Sequence, residues 1–251
     1  TVLRAMRERL PQERLLYLGD TARLPYGTKS RETIAQYCLQ ASAKLVERGV
    51  KMLVVACNTA TAAALPALRA AFAPVPVIGV VEPGSAAAAR RICVIATEAT
   101  IRSKAYQEAI LRRRPDAVVT GRPCTLFVPL AEEGWMDGPL VEGIAARYLD
   151  DVFGSRAPVP RPDTLLLGCT HFPLLKEALQ RVVGDEVALV DSAATTADAV
   201  RDELERGALR RTGSVEDITF LTTDDPERFA RTGSLFLGRP IAQSAVELAD
   251  L

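Results

Sequence analysis

The chain has 251 residues, enough to bury one large core or two smaller ones. It is 48% apolar and 25% charged, an ordinary globular composition, and its 31 Lys and Arg balance 31 Asp and Glu. That balance gives no reason to expect nucleic acid or an anionic membrane as a partner. The longest apolar tract, Ala60–Val81, is broken by Arg69, Pro66, Pro74 and Pro76, so it is not a membrane span.

In chain order, Thr1–Leu10 has the periodicity of a helix stopped by Pro11. No strand precedes it, so a doubly wound fold is expected to begin earlier, with a strand and its loop. Leu15–Leu18 is a short strand, and Gly19–Gly27 a polar loop of functional length. Lys29–Arg48 is a helix ended by Gly49. Val50–Ala56 is a strand, followed by a helix that Pro66 should kink or end. Val75–Val80 is a strand and Ser85–Arg91 a short helix. Ile92–Ala96 is a strand, with helix to about Arg113. Ala117–Thr120 is a strand, Leu126–Trp135 and Pro139–Phe153 are helical, and Gly154–Asp163 is a surface loop. Thr164–Leu167 is a strand, Phe172–Val183 a helix that Thr170 can cap, and Val187–Val190 a strand. Ala197–Arg206 is a helix, Ile218–Leu221 a strand and Pro226–Leu235 a helix.

Strands alternating with helices predict parallel α/β sheets. Crossovers near Val80–Pro83 and near Asp191 would make one domain discontinuous, residues 1–80 with 192–251, and the other continuous, residues 81–191.

The sequence contains one unit twice. MLVVACNTATAAAL (52–65) and TLLLGCTHFPLL (164–175) each run from an apolar strand through a small residue to a cysteine, hydroxyl residues and a helix. Gly79 and Asp191, each in a second strand, stand equally far beyond Cys57 and Cys169. Facing halves would put two thiols across one cleft, at the carboxyl edge where open α/β sheets bind ligands.

The five cysteines (38, 57, 93, 124, 169) are odd in number and widely spaced, with no CxxC, and His171 is the only histidine. That argues against a disulfide framework and a zinc site. No GxGxxG or GxxxxGK[ST] is present to suggest a dinucleotide or P-loop nucleotide. No secretory n-region and h-region appear, so the cytosol is the expected compartment.

Most cysteines in such a protein are buried fillers, and Cys38, Cys93 and Cys124 read that way. Cys57 and Cys169 differ, because each lies where a helix N-terminus favours thiolate. Two thiols on opposite faces of a small ligand suit one reaction, in which a carbon-bound proton is removed from one face and returned on the other. One thiolate acts as base while one thiol acts as acid, and no cofactor is required. Asn58, Thr59 and Thr170 could be plain helix caps, but free N–H groups beside them suit a carboxylate. His171 could tune the Cys169 thiol or relay its proton. Asp20 could be a loop acid, Glu132 part of a solvated face, and Tyr26–Gly27 an ordinary turn.

YLGDTARLPYG (17–27), ACNTA (56–60), ATEAT (96–100), VPLAEEG (128–134), LLLGCTHFPLL (165–175) and VDSA (190–193) together resemble the glutamate racemases. The resemblance implies two pseudo-symmetric parallel α/β domains with the active site between them. It implies cofactor-independent interconversion of L- and D-glutamate, supplying D-glutamate for peptidoglycan. Cys57 would take the proton from D-glutamate and Cys169 from L-glutamate. Asp20, Glu132 and His171 would assist the proton transfers. Tyr26, Gly27, Asn58, Thr59, Thr97, Thr100, Thr170 and His171 would hold the substrate. The family commonly forms homodimers, and some members also restrain DNA gyrase. Two departures stand out: the family's opening strand and Asp-Ser-Gly motif have no counterpart in these residues, and Ala96 stands where the family usually has Gly.

Three other readings compete. A sister racemase for aspartate or a hydantoin would share both cysteines. A cysteine hydrolase using Cys169 with His171 would leave Cys57 unexplained, and residues so near in sequence usually make a poor nucleophile–base pair. A non-catalytic gyrase-binding paralogue would need a surface that nothing in the charge pattern suggests.

Overall fold

The computed structural model describes residues 1–86, 90–155, 157, 159–213 and 218–251. Its largest sheet is formed by β4 (Arg91–Ala96), β5 (Val118–Pro123), β6 (Thr164–Gly168) and β7 (Ala188–Asp191), all parallel in the order β5-β4-β6-β7. Parallel strands need crossovers, and those helices cover both faces. Alternation within β4 shows this: Cys93 and Ile95 pack with Leu165 and Leu167 against α7 (Phe127–Glu132), α8 (Pro139–Phe153) and α9 (Lys176–Val183). Ile92 and Val94 pack with Leu166 against α4 (Val81–Ala86) and α6 (Ala105–Arg113). Leu166 is wholly buried, so its truncation to Ala should cost about 2–5 kcal/mol.

Two smaller parallel sheets complete the architecture. β2 (Leu53–Val55) pairs with β3 (Val77–Gly79). Leu53 and Val77 face α2 (Arg31–Glu47) and α3 (Asn58–Ala71). Val54 and Ile78 lie under α1 (Val2–Arg9) and α10 (Ser192–Arg206). β1 (Leu15–Gly19), β8 (Ile218–Thr222) and β9 (Val246–Leu248) form the third sheet, packed on α11 (Pro226–Leu237) through Phe220, Phe229 and Leu237. Among the described residues no helix is long and apolar enough to cross a membrane.

Several elements differ from the sequence expectations, each for a local reason. Helix α3 runs through Pro66 to Ala71, because Pro66 lies on the exposed face where water can satisfy the carbonyl left without a donor. Thr170 caps no helix: the chain after Cys169 first makes a 3-10 turn, Phe172–Leu175, and α9 starts only at Lys176. Helix α10 begins at Ser192 rather than Ala197, capped by Asp191, whose carboxylate accepts from the Ala193 N–H at 2.9 Å. The helix expected over Ser85–Arg91 starts earlier, at Val81, and Arg91 belongs to β4; residues 87–89 lie outside the described residues. Helix α7 stops at Glu132, short of Trp135. β2 is shorter than Val50–Ala56. The helix expected up to Arg113 divides into α5 (Glu98–Arg102) and α6 at Lys104, which adopts a left-handed φ of 56°. Within the loop expected over Gly154–Asp163, residues 156 and 158 lie outside the described residues.

Candidate active site

Most of the residues singled out in the sequence stand at the carboxyl ends of parallel strands. Asp20 follows β1, Cys57 comes two residues after β2, Thr97 follows β4 and Cys169 follows β6. This is the edge at which α/β sheets present loops and helix N-termini to ligands.

Around Cys57, the cysteine itself is the N-cap of α3, and its Sγ accepts from the Ala60 N–H at 3.5 Å. Burial pushes the Cys57 thiol up; hydrogen bonds from Ala60 and Thr59 oppose this, while the nearby Cys169 charge adds to it. Asn58 and Thr59 are not caps but buried members of the first turn, 2% and 3% exposed. The Tyr106 hydroxyl donates to Asn58 Oδ1 at 2.5 Å, while Asn58 Nδ2 has no protein partner among the described residues. Thr59, Thr97 and Thr100 form a triangle of hydroxyls 2.9, 3.1 and 3.0 Å apart. Thr97 also caps α5 through the Thr100 N–H. Gly27 lies against Thr97 so closely that a Cβ on it would stand 2.9 Å from the Thr97 Cβ.

Around Cys169, Sγ is 3.7 Å from His171 Nδ1, and His171 Nε2 is 3.2 Å from Glu132 Oε1. Burial alone would lower the His171 pKa, but hydrogen bonds and charge from Cys169 and Glu132 outweigh it and raise it to about 9. The same contact draws Glu132 below the ordinary carboxylate range, against its burial, with help from Arg228 at 3.8 Å. The Phe236 ring meets His171 edge-on, with centroids 5.0 Å apart. The Thr170 carbonyl accepts from the Thr1 hydroxyl at 3.0 Å. The turn after β6 brings the Cys169 and His171 side chains into contact although the residues are only two apart in the chain.

Asp20 sits in a third cluster. Its two carboxylate oxygens share the single Arg23 Nε–H, at 2.8 and 2.9 Å, and accept further hydrogen bonds from the Tyr26 hydroxyl and Thr223 Oγ1. Burial, then the Asp20 contact, drives the Tyr26 pKa upward, so Tyr26 stays a neutral donor. These bonds tie Asp20 and Tyr26 into the loop that carries Gly27.

Cys38, Cys93 and Cys124 are core residues, as expected, and burial foremost pushes the first two up to about 12. Among the described residues no three His, Cys, Asp or Glu side chains are grouped as metal ligands would be. The sequence reading missed Tyr106, Arg228 and Phe236, which belong to helices with ordinary amphipathic patterns. Only the fold brings them to Asn58, Glu132 and His171.

The Asp/Glu/Hydantoin racemase family model matches residues 1–200. A glutamate racemase from Geobacter metallireducens is 49% identical over 244 residues, covering 95% of this chain and 88% of its own. One from Koribacter versatilis is 45% identical over 278 aligned residues, covering 100% and 93%. Among solved structures, the Francisella tularensis glutamate racemase in complex with D-glutamate superposes with a TM-score of 0.91 at 33% identity, covering 99% of this chain and 92% of that one. The Thermus thermophilus glutamate racemase in complex with β-chloro-D-alanine gives 0.88 at 41%, covering 100% and 92%. With twin cysteine corners on parallel α/β sheets and relatives of this closeness along nearly its whole length, the chain belongs to the Asp/Glu/hydantoin racemase family, among its glutamate racemases, and is an amino-acid racemase.

Proposed function

We propose that this racemase interconverts L- and D-glutamate without a cofactor, using Cys57 and Cys169 as paired acid and base in a cleft between residues 1–80 with 192–251 and residues 81–191. The observation that carries the reading is the asymmetric setting of the two thiols. Burial pushes the Cys57 thiol up, whereas Cys169 Sγ stands 3.7 Å from an imidazole whose pKa its contacts with Cys169 and Glu132 raise to about 9. One thiol is thus set to donate, and the other has beside it an imidazole that can share in moving its proton.

From L-glutamate, Cys169 Sγ takes the α-proton and becomes a thiol. Cys57 delivers its own proton to the opposite face of the planar carbanion and becomes a thiolate. From D-glutamate the roles reverse. His171 moves or holds a proton at Nδ1, with Glu132 steadying Nε2. Asn58 Nδ2 and the hydroxyls of Thr59 and Thr97 supply donors for substrate carboxylate oxygens, with Thr100 beside them and Thr170 next to Cys169 in the chain, and the loop of Asp20, Tyr26 and Gly27 closes that side. The D-glutamate bound by the Francisella relative supports the choice of substrate. D-Glutamate made this way would feed peptidoglycan synthesis. The free thiols fit a reducing cytosol.

The test is circular dichroism of L-glutamate and of L-aspartate incubated with the protein and no added cofactor. Decay of the glutamate signal to zero, with aspartate unchanged, is expected. Decay with aspartate alone would overturn the choice of substrate.

A further inference from the structure

Tyr106 lies beneath both cysteine corners. Its ring is 1% exposed and packs with Ile92, Val94 and Leu166. A Cβ on Gly168, the residue before Cys169, would stand 3.0 Å from its Cε2. Its hydroxyl reaches Asn58, the residue after Cys57, at 2.5 Å. A Cβ on Gly84 would be 3.2 Å from that hydroxyl and 3.0 Å from the Ser192 Cβ, so glycine there leaves room for the Tyr106 and Ser192 side chains to meet. Ser192 is 4% exposed, and its closeness moderates the upward push of burial on the Tyr106 pKa.

The direction of the Tyr106–Asn58 bond matters. A side-chain amide has one acceptor and two N–H donors, and a hydroxyl has a single proton to donate. Tyr106 spends its one proton on Asn58 Oδ1. That fixes which way the amide faces. Its NH2 group, buried and without a partner among the described residues, is left to meet a ligand acceptor. A flipped amide would bury its oxygen without a donor and turn a lone pair toward an anionic substrate, which is unfavourable on both counts.

We propose that Tyr106 is a positioning residue for substrate recognition: buried beside Ser192 where Gly84 leaves room, it locks the Asn58 amide with its NH2 toward the bound amino acid's carboxylate. The inference rests on the reading of Asn58 as a substrate contact. It makes the chain Ser192–Tyr106–Asn58, which runs from α10 through α6 to α3, part of what selects an anion at this place.

The test is steady-state kinetics with L- and D-glutamate on Tyr106→Phe, Asn58→Ala and the double variant. Phe keeps the buried ring and removes only the hydroxyl. Tyr106→Phe should raise KM about five- to tenfold in both directions while kcat stays within about twofold, since the cysteines are untouched. Asn58→Ala should raise KM at least as much. In its background Tyr106→Phe should add less than about twofold, because the amide it orients is gone. Ser192→Ala, which leaves the ring in place, should raise KM in the same direction by a smaller factor. If Tyr106→Phe multiplies KM equally with and without Asn58, or lowers only thermal stability, the positioning role is refuted. If Asn58→Ala leaves KM unchanged, the reading of Asn58 as a substrate contact falls, and this inference with it.

Discussion

Glu132 Oε1 and His171 Nε2 stand 3.2 Å apart, and the other face of the imidazole looks at Cys169 Sγ from 3.7 Å. This row of three joins the end of α7 to the turn after β6, and it makes the stability of the fold depend on pH. The folded His171 pKa, about 9, lies above its ordinary 6.5, so its contribution is fully present below about pH 6.5 and is lost as pH rises through 9. The Glu132 pKa is depressed from 4.5, so its contribution is present above about pH 4.5 and lost as pH falls through the lower folded value. Glu132→Gln should therefore cost most stability between about pH 4.5 and 6.5 and much less above 9. Urea denaturation of both proteins across that range checks this, and a gap independent of pH would contradict it.

Cys57→Ser and Cys169→Ser should each slow racemisation by about a hundredfold to ten-thousandfold, the usual weight of a positioned acid or base. Both variants should keep the wild-type melting temperature to within a few degrees, because each removes little packed volume. Turnover of either variant at the wild-type rate would dismiss the paired-thiol assignment.

Gly27→Ala should impair the site without unfolding the protein. The added Cβ would press on Thr97, whose hydroxyl is fixed by Thr59 and Thr100, so the loop rather than the triangle must move. Glutamate turnover should fall by roughly tenfold, short of the hundredfold that a 1 Å misplacement can cost. A circular dichroism melt beside the assay separates this from a loss of folding.

Gly79→Ala should act on stability instead. Its Cβ would run into Thr61 Cγ2 and stand 3.1 Å from Leu65 Cδ2. Thr61 cannot turn away cheaply, because its hydroxyl donates to the Val55 carbonyl at 3.0 Å and accepts from the Val80 N–H at 3.3 Å. Overpacking of this kind costs about 1–3 kcal/mol, readable as a shift in the urea midpoint.

Much of this was legible in the sequence because its signals are local. Both cysteine strands are apolar runs, the second of them wholly buried, and the equal spacing from each cysteine to a second strand exposes the repeat. Thr164–Leu167 reads as a buried strand and lies in one, Thr164–Gly168. The turn after Cys169 was not legible: Thr170 looks like a helix cap, but the chain takes a 3-10 turn first, and that turn points His171 at both Cys169 and Glu132. Tertiary contacts decided this, not propensity. The same holds for Tyr106, Arg228 and Phe236. Each has a side chain that an ordinary helix would carry, and only the long-range packing of α6 and α11 gives it a site partner.

The most direct measurement is isotope uptake during the first turnovers in D2O, starting from L-glutamate and separately from D-glutamate. Two opposed thiols require deuterium to appear at Cα of the product enantiomer while the remaining substrate keeps its proton, in both directions and without cofactor. Deuterium entering the unreacted substrate as fast as the product would point to a single base that returns protons to the face it took them from. That result, or no exchange from either enantiomer, would contradict the account.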